Sequence, residues 1–284
     1  MQRICSECIW KEKFKLRDIK LIAIDGLDGT GKTTFAKFLS NDLQSDYYMN
    51  KKYDARYQHF PVYELQSGKK IKDFLFHEPE PYKRENILKM IDLQETNRME
   101  WTDRLIWDDV LVQDDRPLLM IADRYMRSND IYNETRLPDW KERCINAGER
   151  EYGDHAIPRP DLQIFCYCNR NLQRKRLEAR KNLDQYEALD HLDELNDRYI
   201  TYLKWYMTVD RFKRNTVFIP MHLFDREFLK ESLDNKKWNT YYKEILKDYL
   251  SIFRKYILSQ ETKEEFVKEI NELHEEEFDA YLDS

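Results

Sequence analysis

One short segment of the chain carries the residue types that bind phosphate. Residues 26–33 read Gly-Leu-Asp-Gly-Thr-Gly-Lys-Thr and fit the pattern GxxxxGK[ST]. Glycines at 26, 29 and 31 let backbone N–H groups approach phosphate oxygens without Cβ clashes. The lysine brings a point charge, and the threonine hydroxyl is a ligand for Mg²⁺. The segment predicts a phosphate-binding loop, and the chain, which has only six glycines, places three of them here.

The flanking sequence supplies the elements that such a loop needs. Residues 20–25 are an apolar run typical of a buried strand, and Phe35, Phe38 and Leu39 have helical spacing. A helix that starts at the loop presents its positive N-terminal end to an anion. The predicted phosphate-binding residues are Gly26, Asp28, Gly29, Thr30, Gly31, Lys32, Thr33 and Thr34. The loop alone does not separate GTPases, ATPases and kinases.

Four further apolar runs extend the fold prediction. They predict strands at residues 57–61, 117–123, 161–168 and 216–221, with long charged, periodic segments between them. Short strands alternating with helices favour the α/β class, with a parallel sheet covered by helices. The pattern of residues 224–284 is helical only, and its last two dozen residues are Glu-rich. This pattern is typical of a solvated helical appendage, with partner binding or dimerisation as the alternative.

Composition and charge exclude several classes of protein. Of the 284 residues, 41% are hydrophobic and 36% charged, a globular balance, and a net charge of −6 argues against a general nucleic-acid-binding surface. No apolar run approaches the roughly 18 residues that span a bilayer, and we find no secretory signal pattern. We therefore expect a cytoplasmic protein that binds neither membrane nor nucleic acid. Cys5 and Cys8 form a CxxC pair without the second pair that a zinc site needs.

Several segments, in chain order, resemble the thymidylate kinase (dTMP kinase) family. Residues 24–34 resemble its phosphate loop, and residues 123–133 (DRYMRSNDIYN) its second signature. The remaining landmarks are Phe60-Pro61 with Gly68-Lys69, residues 97–101 (NRMEW), residues 160–162 (PDL) and residues 179–187 (ARKNLDQYE). The resemblance covers roughly residues 19–223, which we expect to form one kinase-like domain with a LID at about residues 170–190. Residues 1–18 and 224–284 are then an N-terminal extension and a helical acidic C-terminal extension.

The resemblance implies a fold, a reaction and a set of catalytic residues. The fold is a P-loop kinase with five parallel strands and helices on both faces. The reaction is transfer of the ATP γ-phosphoryl group to dTMP with Mg²⁺, in a homodimer. The implied catalytic residues are Lys32, Arg124, Arg180, Arg176 and Asp28, and the implied Mg²⁺ residues are Thr33, Asp28 and Asp123.

The acceptor side has its own candidate residues. Arg124, beside the strand-ending Asp123, can bind an acceptor phosphate bidentately. By resemblance, Arg98 would donate to a carbonyl oxygen of the base, and Tyr132 would exclude a 2′-hydroxyl and favour deoxyribonucleotides. The full implied set is Phe60, Tyr63, Gln94, Arg98, Arg124, Ser128, Asn129 and Tyr132.

The LID segment is strongly basic. It contains Arg174, Lys175, Arg176, Arg180 and Lys181. One branch of the family has an arginine in the phosphate loop where this chain has Gly29, and the other branch takes its catalytic arginine from the LID. Gly29 and the basic LID are therefore both consistent with the branch that takes its catalytic arginine from the LID. Arg180 is the first candidate for this arginine and Arg176 the second. A solvated basic helix face is the alternative.

Two positions depart from the family pattern. Gln94 stands where the family has an aromatic residue that stacks on thymine, and Tyr63 stands where one branch has arginine. These changes leave open a kinase for several deoxynucleoside monophosphates or for nucleosides. A non-catalytic ATP-binding module that acts through the C-terminal extension is a more distant alternative.

Overall fold

The computed structural model describes residues 18–112, 114–180, 189–209, 212, 214–225, 238–258 and 262–284. Cys5, Cys8 and residues 181–188 of the predicted LID lie outside the described residues. Five strands form one sheet: β1 (Ile19–Gly26), β2 (Asp54–His59), β3 (Leu118–Asp123), β4 (Leu162–Tyr167) and β5 (Thr216–Pro220). Their order is β2-β3-β1-β4-β5, and the strands are parallel. The predicted α/β fold with a five-stranded parallel sheet is confirmed.

Helices separate the strands along the chain. They are α1 (Lys32–Ser45), α2 (Tyr47–Lys52), α3 (Gln66–His77), α4 (Arg84–Val112), α5 (Met126–Tyr132), α6 (Trp140–Glu149), α7 (Arg170–Glu178), α8 (Leu192–Met207), α9 (Trp238–Ile257), α10 (Lys263–Leu273) and α11 (Glu275–Leu282). A π-helical turn follows α6 at Arg150–Asp154, and a 3₁₀ turn follows β5 at Met221–Phe224. The helix after the phosphate loop and the helical pattern of the C-terminal region are as predicted.

The prediction for β2 was wrong in position. The strand covers Asp54–His59 and not residues 57–61. Its register pairs Asp54 with Leu118 and His59 with Asp123, so it runs the full length of β3. Pro61 has no N–H group with which to continue the ladder, which is why the strand cannot extend over it. The start of the strand was not predicted because Asp54 and Arg56 are polar and interrupt any apolar run.

The contacts divide the chain into two compact units. One contains residues 18–23 and 43–161, and the other contains residues 24–42, 162–180 and the described residues from 189 onward. We call them the β3 unit and the loop unit, because the second contains the predicted phosphate loop. The predicted boundary at residues 223–224 falls inside the loop unit.

The core of the β3 unit is an aromatic and aliphatic cluster. Phe60, Trp101 and Tyr125 meet edge to face, with ring centroids 5.0 to 6.3 Å apart. Leu118, Met120 and Ala122 of β3 belong to the same cluster. This packing fixes the end of β3 and the segment after it, where the predicted acceptor residues begin.

The C-terminal helices belong to the core of the loop unit. Phe253 of α9 and Phe266 of α10 are buried and pack edge to face, and Phe278 of α11 stacks on Phe218 of β5 at 4.0 Å. The expectation of a solvated appendage was therefore wrong for the inner faces of these helices. The apolar residues recur at helical spacing among the many glutamates, and that stripe is what packs. No helix in the described part of the chain is long and apolar enough to cross a membrane.

Candidate nucleotide-binding site

The phosphate loop connects β1 to α1 in a conformation that requires its glycines. Gly26, Gly29 and Gly31 have φ of 147°, 79° and 101°. A Cβ on Gly26 would lie 2.4 Å from the carbonyl oxygen of Cys166 in β4. Any side chain at this position would therefore push the loop away from the sheet. The first helical bond of α1 runs from Phe35 N–H to the Gly31 carbonyl at 3.1 Å.

The loop lysine is held inside the loop. Lys32 is 3% exposed, and its Nζ donates to the Leu27 carbonyl at 3.0 Å and to Asp28 Oδ1 at 3.1 Å. The Thr30 hydroxyl donates to the same Leu27 carbonyl at 2.8 Å. The carboxylate of Asp28 therefore faces a cation. Thr33 is half-buried at the start of α1, and Thr34 is exposed.

Helix α7 supports the loop from a second element. Gln173 is 1% exposed and donates from Nε2 to the Asp28 carbonyl at 2.7 Å. Asn196 of α8 donates to Gln173 Oε1 at 2.9 Å, which fixes the orientation of the glutamine amide. A buried chain of amides therefore holds the loop backbone, because each donor in it has an acceptor.

The second candidate LID arginine contacts the loop directly. Arg176 of α7 donates from Nη1 to the carbonyls of Gly29 at 3.1 Å and Thr30 at 2.8 Å. Its Nε and Nη2 donate to Asp225 Oδ2 at 3.1 and 2.6 Å. Arg180, the first candidate, is exposed two residues beyond the end of α7.

A cavity of about 390 Å³ opens beside these residues within the loop unit. Both candidate arginines and two loop glycines line it, and the rest of its lining is mainly aromatic and apolar. The lining residues are Gly29, Gly31, Thr34, Phe35, Phe38, Arg176, Arg180, Met221, Phe224 and Asp225. A volume in this range with an apolar wall and a few polar groups is typical of a small-molecule site. Phosphate loop, cations and aromatic rings together suit a nucleotide.

In the β3 unit, the carboxylate at the end of β3 is buried among donors. Asp123 is fully buried, and its Oδ2 accepts from Tyr57 Oη at 3.0 Å and lies 2.9 Å from His59 Nδ1. Burial, followed by the charge of Asp123, raises the pKa of Tyr57, so the phenol stays a donor. Both partners come from β2, which the register places beside β3.

Arg124 follows in an uncommon backbone conformation. Its φ is 63°, in the left-handed region that bulky residues seldom adopt. Its guanidinium carbon lies 5.9 Å from the centre of the Tyr132 ring, which is 7% exposed. Such conformations cluster at functional sites. The two predicted acceptor residues Arg124 and Tyr132 are thus brought together.

Arg98 is buried in a bidentate ion pair and is not a solvated helix residue. Its Nε and Nη2 donate to Glu151 at 3.0 and 2.5 Å, and both side chains are at most 4% exposed. Burial alone lowers the pKa of Arg98, but the charge and hydrogen bonds of Glu151 outweigh it, so the net direction is upward. The arginine therefore stays charged and fixed in place.

The departure at Gln94 is part of an amide cluster. Asn133 Nδ2 donates to Gln94 Oε1 and to Asn129 Oδ1, each at 3.0 Å. Asn129 is 3% exposed and Gln94 is half-buried. The predicted residues Gln94 and Asn129 are therefore linked through Asn133, which the sequence pattern did not single out.

The other predicted acceptor residues have mixed surroundings. Phe60 is 3% exposed within the aromatic core described above, and Ser128 is half-buried. Tyr63 is 36% exposed. The ring contacts of Phe60 are those of a core residue.

The predicted Mg²⁺ residues are oxygen donors of the kind that Mg²⁺ prefers, namely the Thr33 hydroxyl and two carboxylates. Thr33 and Asp28 lie in the loop unit and Asp123 in the β3 unit. Among the described residues, a compact group of at least three His, Cys, Asp or Glu ligand atoms occurs at Asp130, Glu134 and Cys144. Arg127 pairs with Asp130 there at 2.6 Å, so part of that charge is already balanced.

Sequence reasoning missed four residues that this structure brings to the predicted ones. They are Gln173, Asp225, Glu151 and Asn133. Asp225 had a usable signal, because it follows shortly after β5, and ligands in parallel sheets bind beyond the carboxyl ends of the strands. Glu151 had none, since its partner Arg98 is 53 residues away.

Fold and loop together define a P-loop nucleotide-binding protein of the α/β class. The sequence profile of a family described as thymidylate kinase matches residues 24–215, more than half of the chain. The chain belongs to the thymidylate kinase family, and it is therefore a phosphotransferase enzyme that binds nucleotides.

Two similar proteins carry the same name. A probable thymidylate kinase of Archaeoglobus fulgidus is 27% identical over 192 residues, which cover 63% of this chain and 80% of that protein. The solved structure of a thymidylate kinase from Candida albicans has a TM-score of 0.48 and 20% identity, and the match covers 72% of this chain and 84% of that one. The Candida protein is described as having broad substrate specificity and a novel structural element.

Proposed function

We propose that this enzyme transfers the γ-phosphoryl group of ATP to dTMP and forms dTDP and ADP. The observation that carries the proposal is the phosphate loop, with its buried Lys32 and its positive-φ glycines, inside a chain of the thymidylate kinase family. The cavity beside the loop supports a nucleotide as donor, because aromatic rings and cations line it.

The chemistry needs positioning and charge neutralisation more than proton transfer. An oxygen of the acceptor phosphate attacks the γ-phosphorus, and the bond from phosphorus to the β–γ bridging oxygen breaks and leaves ADP. No general base is needed, since the attacking oxygen is already an anion. Lys32 and the loop N–H groups bind the β- and γ-phosphates in this proposal, and Arg176 and Arg180 donate to the transferred group. Thr33 and Asp28, both in the loop unit, would hold Mg²⁺, which would neutralise phosphate charge when bound.

The acceptor side of the proposal rests on the β3 unit. Arg124 binds the acceptor phosphate, and Tyr132 beneath its guanidinium packs against the sugar. Arg98, kept charged and fixed by Glu151, donates to the base. Phe60, Tyr63, Gln94, Ser128 and Asn129 complete the proposed acceptor set.

One observation favours a second candidate, a kinase for several deoxynucleoside monophosphates. Gln94 carries a polar amide, held by Asn133, where the family pattern has a stacking ring. An amide hydrogen-bonds base edges and gives up the stacking contribution of an aromatic ring. The acceptor base is then set by hydrogen bonds and not by ring contact with thymine.

The test is release of ADP from Mg-ATP with a panel of acceptors. The panel holds dTMP, dUMP, dGMP, dAMP, dCMP, UMP and thymidine, and Lys32→Ala is the blank. Turnover with dTMP alone supports the first candidate, and turnover with several bases supports the second. Turnover with thymidine that survives Arg124→Ala would replace both with a nucleoside kinase.

If no acceptor gives ADP release while ATP still binds, the enzyme proposal is wrong, and a non-catalytic ATP-binding module replaces it. Lys32→Ala must then also lose ATP binding, because the lysine is the main loop charge. A folded Lys32→Ala protein with normal turnover would remove Lys32 from its proposed role.

We propose in addition a cytoplasmic homodimer, as the family resemblance implies. Sedimentation equilibrium of the full chain, with and without nucleotide, tests the dimer. A monomer at all concentrations that support turnover would contradict it.

A further inference from the structure

The ion pair between Arg176 and Asp225 lies in the wall of the cavity beside the phosphate loop. Both residues line that cavity. Asp225 Oδ2 accepts from Nε at 3.1 Å and from Nη2 at 2.6 Å, and the two side chains are 24% and 18% exposed. The carboxylate follows the 3₁₀ turn after β5, whereas the arginine comes from α7.

Four of the five N–H donors of the Arg176 guanidinium form hydrogen bonds. A guanidinium has five N–H groups. Two donate to Asp225, and the two on Nη1 donate to the carbonyls of Gly29 and Thr30. The fifth, on Nη2, has no acceptor among the described residues. The group is thus clamped along one side by a carboxylate and at its end by the loop, with one donor left for a ligand.

We propose that Asp225 is the positioning residue of Arg176: it holds the guanidinium against the phosphate loop so that the arginine donates to the phosphoryl group being transferred. This inference rests on the proposed function, because it assigns Arg176 a contact with that group. A long arginine side chain loses little further rotamer freedom once its planar fork is fixed. Donors that are in place before the reaction stabilise transition-state charge most effectively.

The pair has a second, opposite electrostatic effect. The carboxylate of Asp225 lies in the same cavity as the polyanionic donor and repels it. Its removal should therefore leave ground-state binding of ATP unchanged or tighter, whereas the reaction slows. A purely structural role for Asp225 predicts the reverse, since a disordered cavity would bind ATP less well.

Steady-state kinetics with Mg-ATP and dTMP tests whether Asp225 affects the reaction rate and ATP binding in these opposite directions. Asp225→Ala should lower kcat about tenfold with a KM for ATP that is equal or lower. Asp225→Asn keeps the side-chain shape and one acceptor oxygen, so its kcat should fall less than that of Asp225→Ala. The matched control is Asp193→Ala, which removes the partner of Arg174 on the same helix, outside the residues that line the cavity. The control should retain wild-type kcat.

A double-mutant cycle shows whether Asp225 acts through Arg176. Asp225→Ala should have no further effect on kcat in an Arg176→Ala background. An equal additional loss in that background would overturn the proposal. So would a raised KM for ATP with unchanged kcat in both Asp225 variants.

A readout that does not depend on turnover separates this inference from the proposed function. In ¹⁵N NMR of the full chain, the Arg176 Nε–H signal, assigned by its loss in Arg176→Ala, should exchange slowly with water in the wild type. In Asp225→Ala it should exchange at least tenfold faster. Slow exchange that depends on Asp225 in a protein without kinase activity would leave the positioning intact and refute the function. Active enzyme with unchanged Arg176 exchange in Asp225→Ala would refute the positioning alone.

Discussion

At the residue scale, three cations of the proposed site are each held by a carboxylate. Lys32 pairs with Asp28, Arg176 with Asp225 and Arg98 with Glu151. Buried or half-buried charges need such partners, because desolvation of an isolated cation is costly. The pairs also fix where each cation lies before a nucleotide arrives, which supports catalysis by preorganised charge.

One buried carboxylate is poorly compensated. Glu134, after α5, is 1% exposed and lies in the group with Asp130 and Cys144. Burial, followed by the charge of Asp130, raises the pKa of Glu134 to about 8, and burial raises the pKa of the Cys144 thiol. The folded protein therefore keeps a proton on Glu134 at neutral pH that the unfolded chain releases near pH 4.5.

This difference predicts a pH-dependent loss of stability. Between pH 4.5 and about 8 the folded state binds more protons at Glu134, so the free energy of unfolding should fall as pH rises. Glu134→Gln should remove this slope and raise stability at pH 8 by roughly 1–3 kcal/mol, the usual cost of an unsatisfied buried group. Urea unfolding at pH 5.5, 7.0 and 8.5 measures both effects. The control is Glu142→Gln, exposed on α6; equal slopes in the wild type and in Glu134→Gln would refute the assignment.

At the element scale, the C-terminal helices protect the edge of the sheet. β5 is the last strand in the order, so one side of it has no strand partner among the described residues. Asn271 of α10 fills part of that side, because its Oδ1 accepts from Phe218 N–H at 3.1 Å and its Nδ2 donates to the Thr216 carbonyl at 2.9 Å. An amide side chain thus replaces one residue of a neighbouring strand, and an open edge is a site of unwanted pairing.

Replacement of this amide should expose the edge. Asn271→Leu keeps a similar size but leaves the Phe218 N–H and the Thr216 carbonyl without these partners. We expect a loss of about 1–3 kcal/mol in the free energy of unfolding and faster hydrogen exchange at the Phe218 amide. Glu272→Ala, on the exposed side of the same helix, should change stability by less than about 0.5 kcal/mol. Unchanged exchange at Phe218 in Asn271→Leu would show that the edge is protected by other contacts.

At the scale of the whole molecule, the two units contain different parts of the proposed site. The loop unit contains the phosphate loop, both candidate LID arginines and the cavity. The β3 unit contains Asp123, Arg124, Arg98 and the amide cluster. Donor and acceptor binding should therefore protect different segments of the chain.

Hydrogen exchange measured by mass spectrometry tests this separation. Mg-ATP should slow exchange in residues 26–38 and 173–180, and dTMP should slow exchange in residues 94–101 and 123–133. Ligand at 100 times its Kd adds about 2.7 kcal/mol of stability, which is ample for detection. Lys32→Ala should lose the effect of ATP and keep that of dTMP. Protection of residues 123–133 by ATP alone, as strong as that by dTMP, would contradict the assignment of donor and acceptor residues.

Features that depend on neighbouring residues in the sequence could be predicted from the sequence alone. The glycine spacing of residues 26–33, the strand before it and the helix after it depend on short-range sterics and periodicity, and the structure contains all three. The parallel α/β class follows from alternating elements in the same way. The prediction for β2 failed because this strand is polar at its start and is recognised only through its pairing with β3.

Long-range partners could be found only in the folded chain. Glu151 reaches Arg98, Gln173 reaches the Asp28 carbonyl and Asn271 reaches β5 across separations of 53 or more residues. The sequence does not show which distant group a polar residue will hydrogen-bond. That partner depends on which backbone segments the fold brings within hydrogen-bond distance. Short-range patterns were therefore enough for the fold class, the phosphate loop and the family resemblance. The carboxylates that hold Arg98 and Arg176, and the way in which the C-terminal helices complete the sheet, follow from tertiary packing.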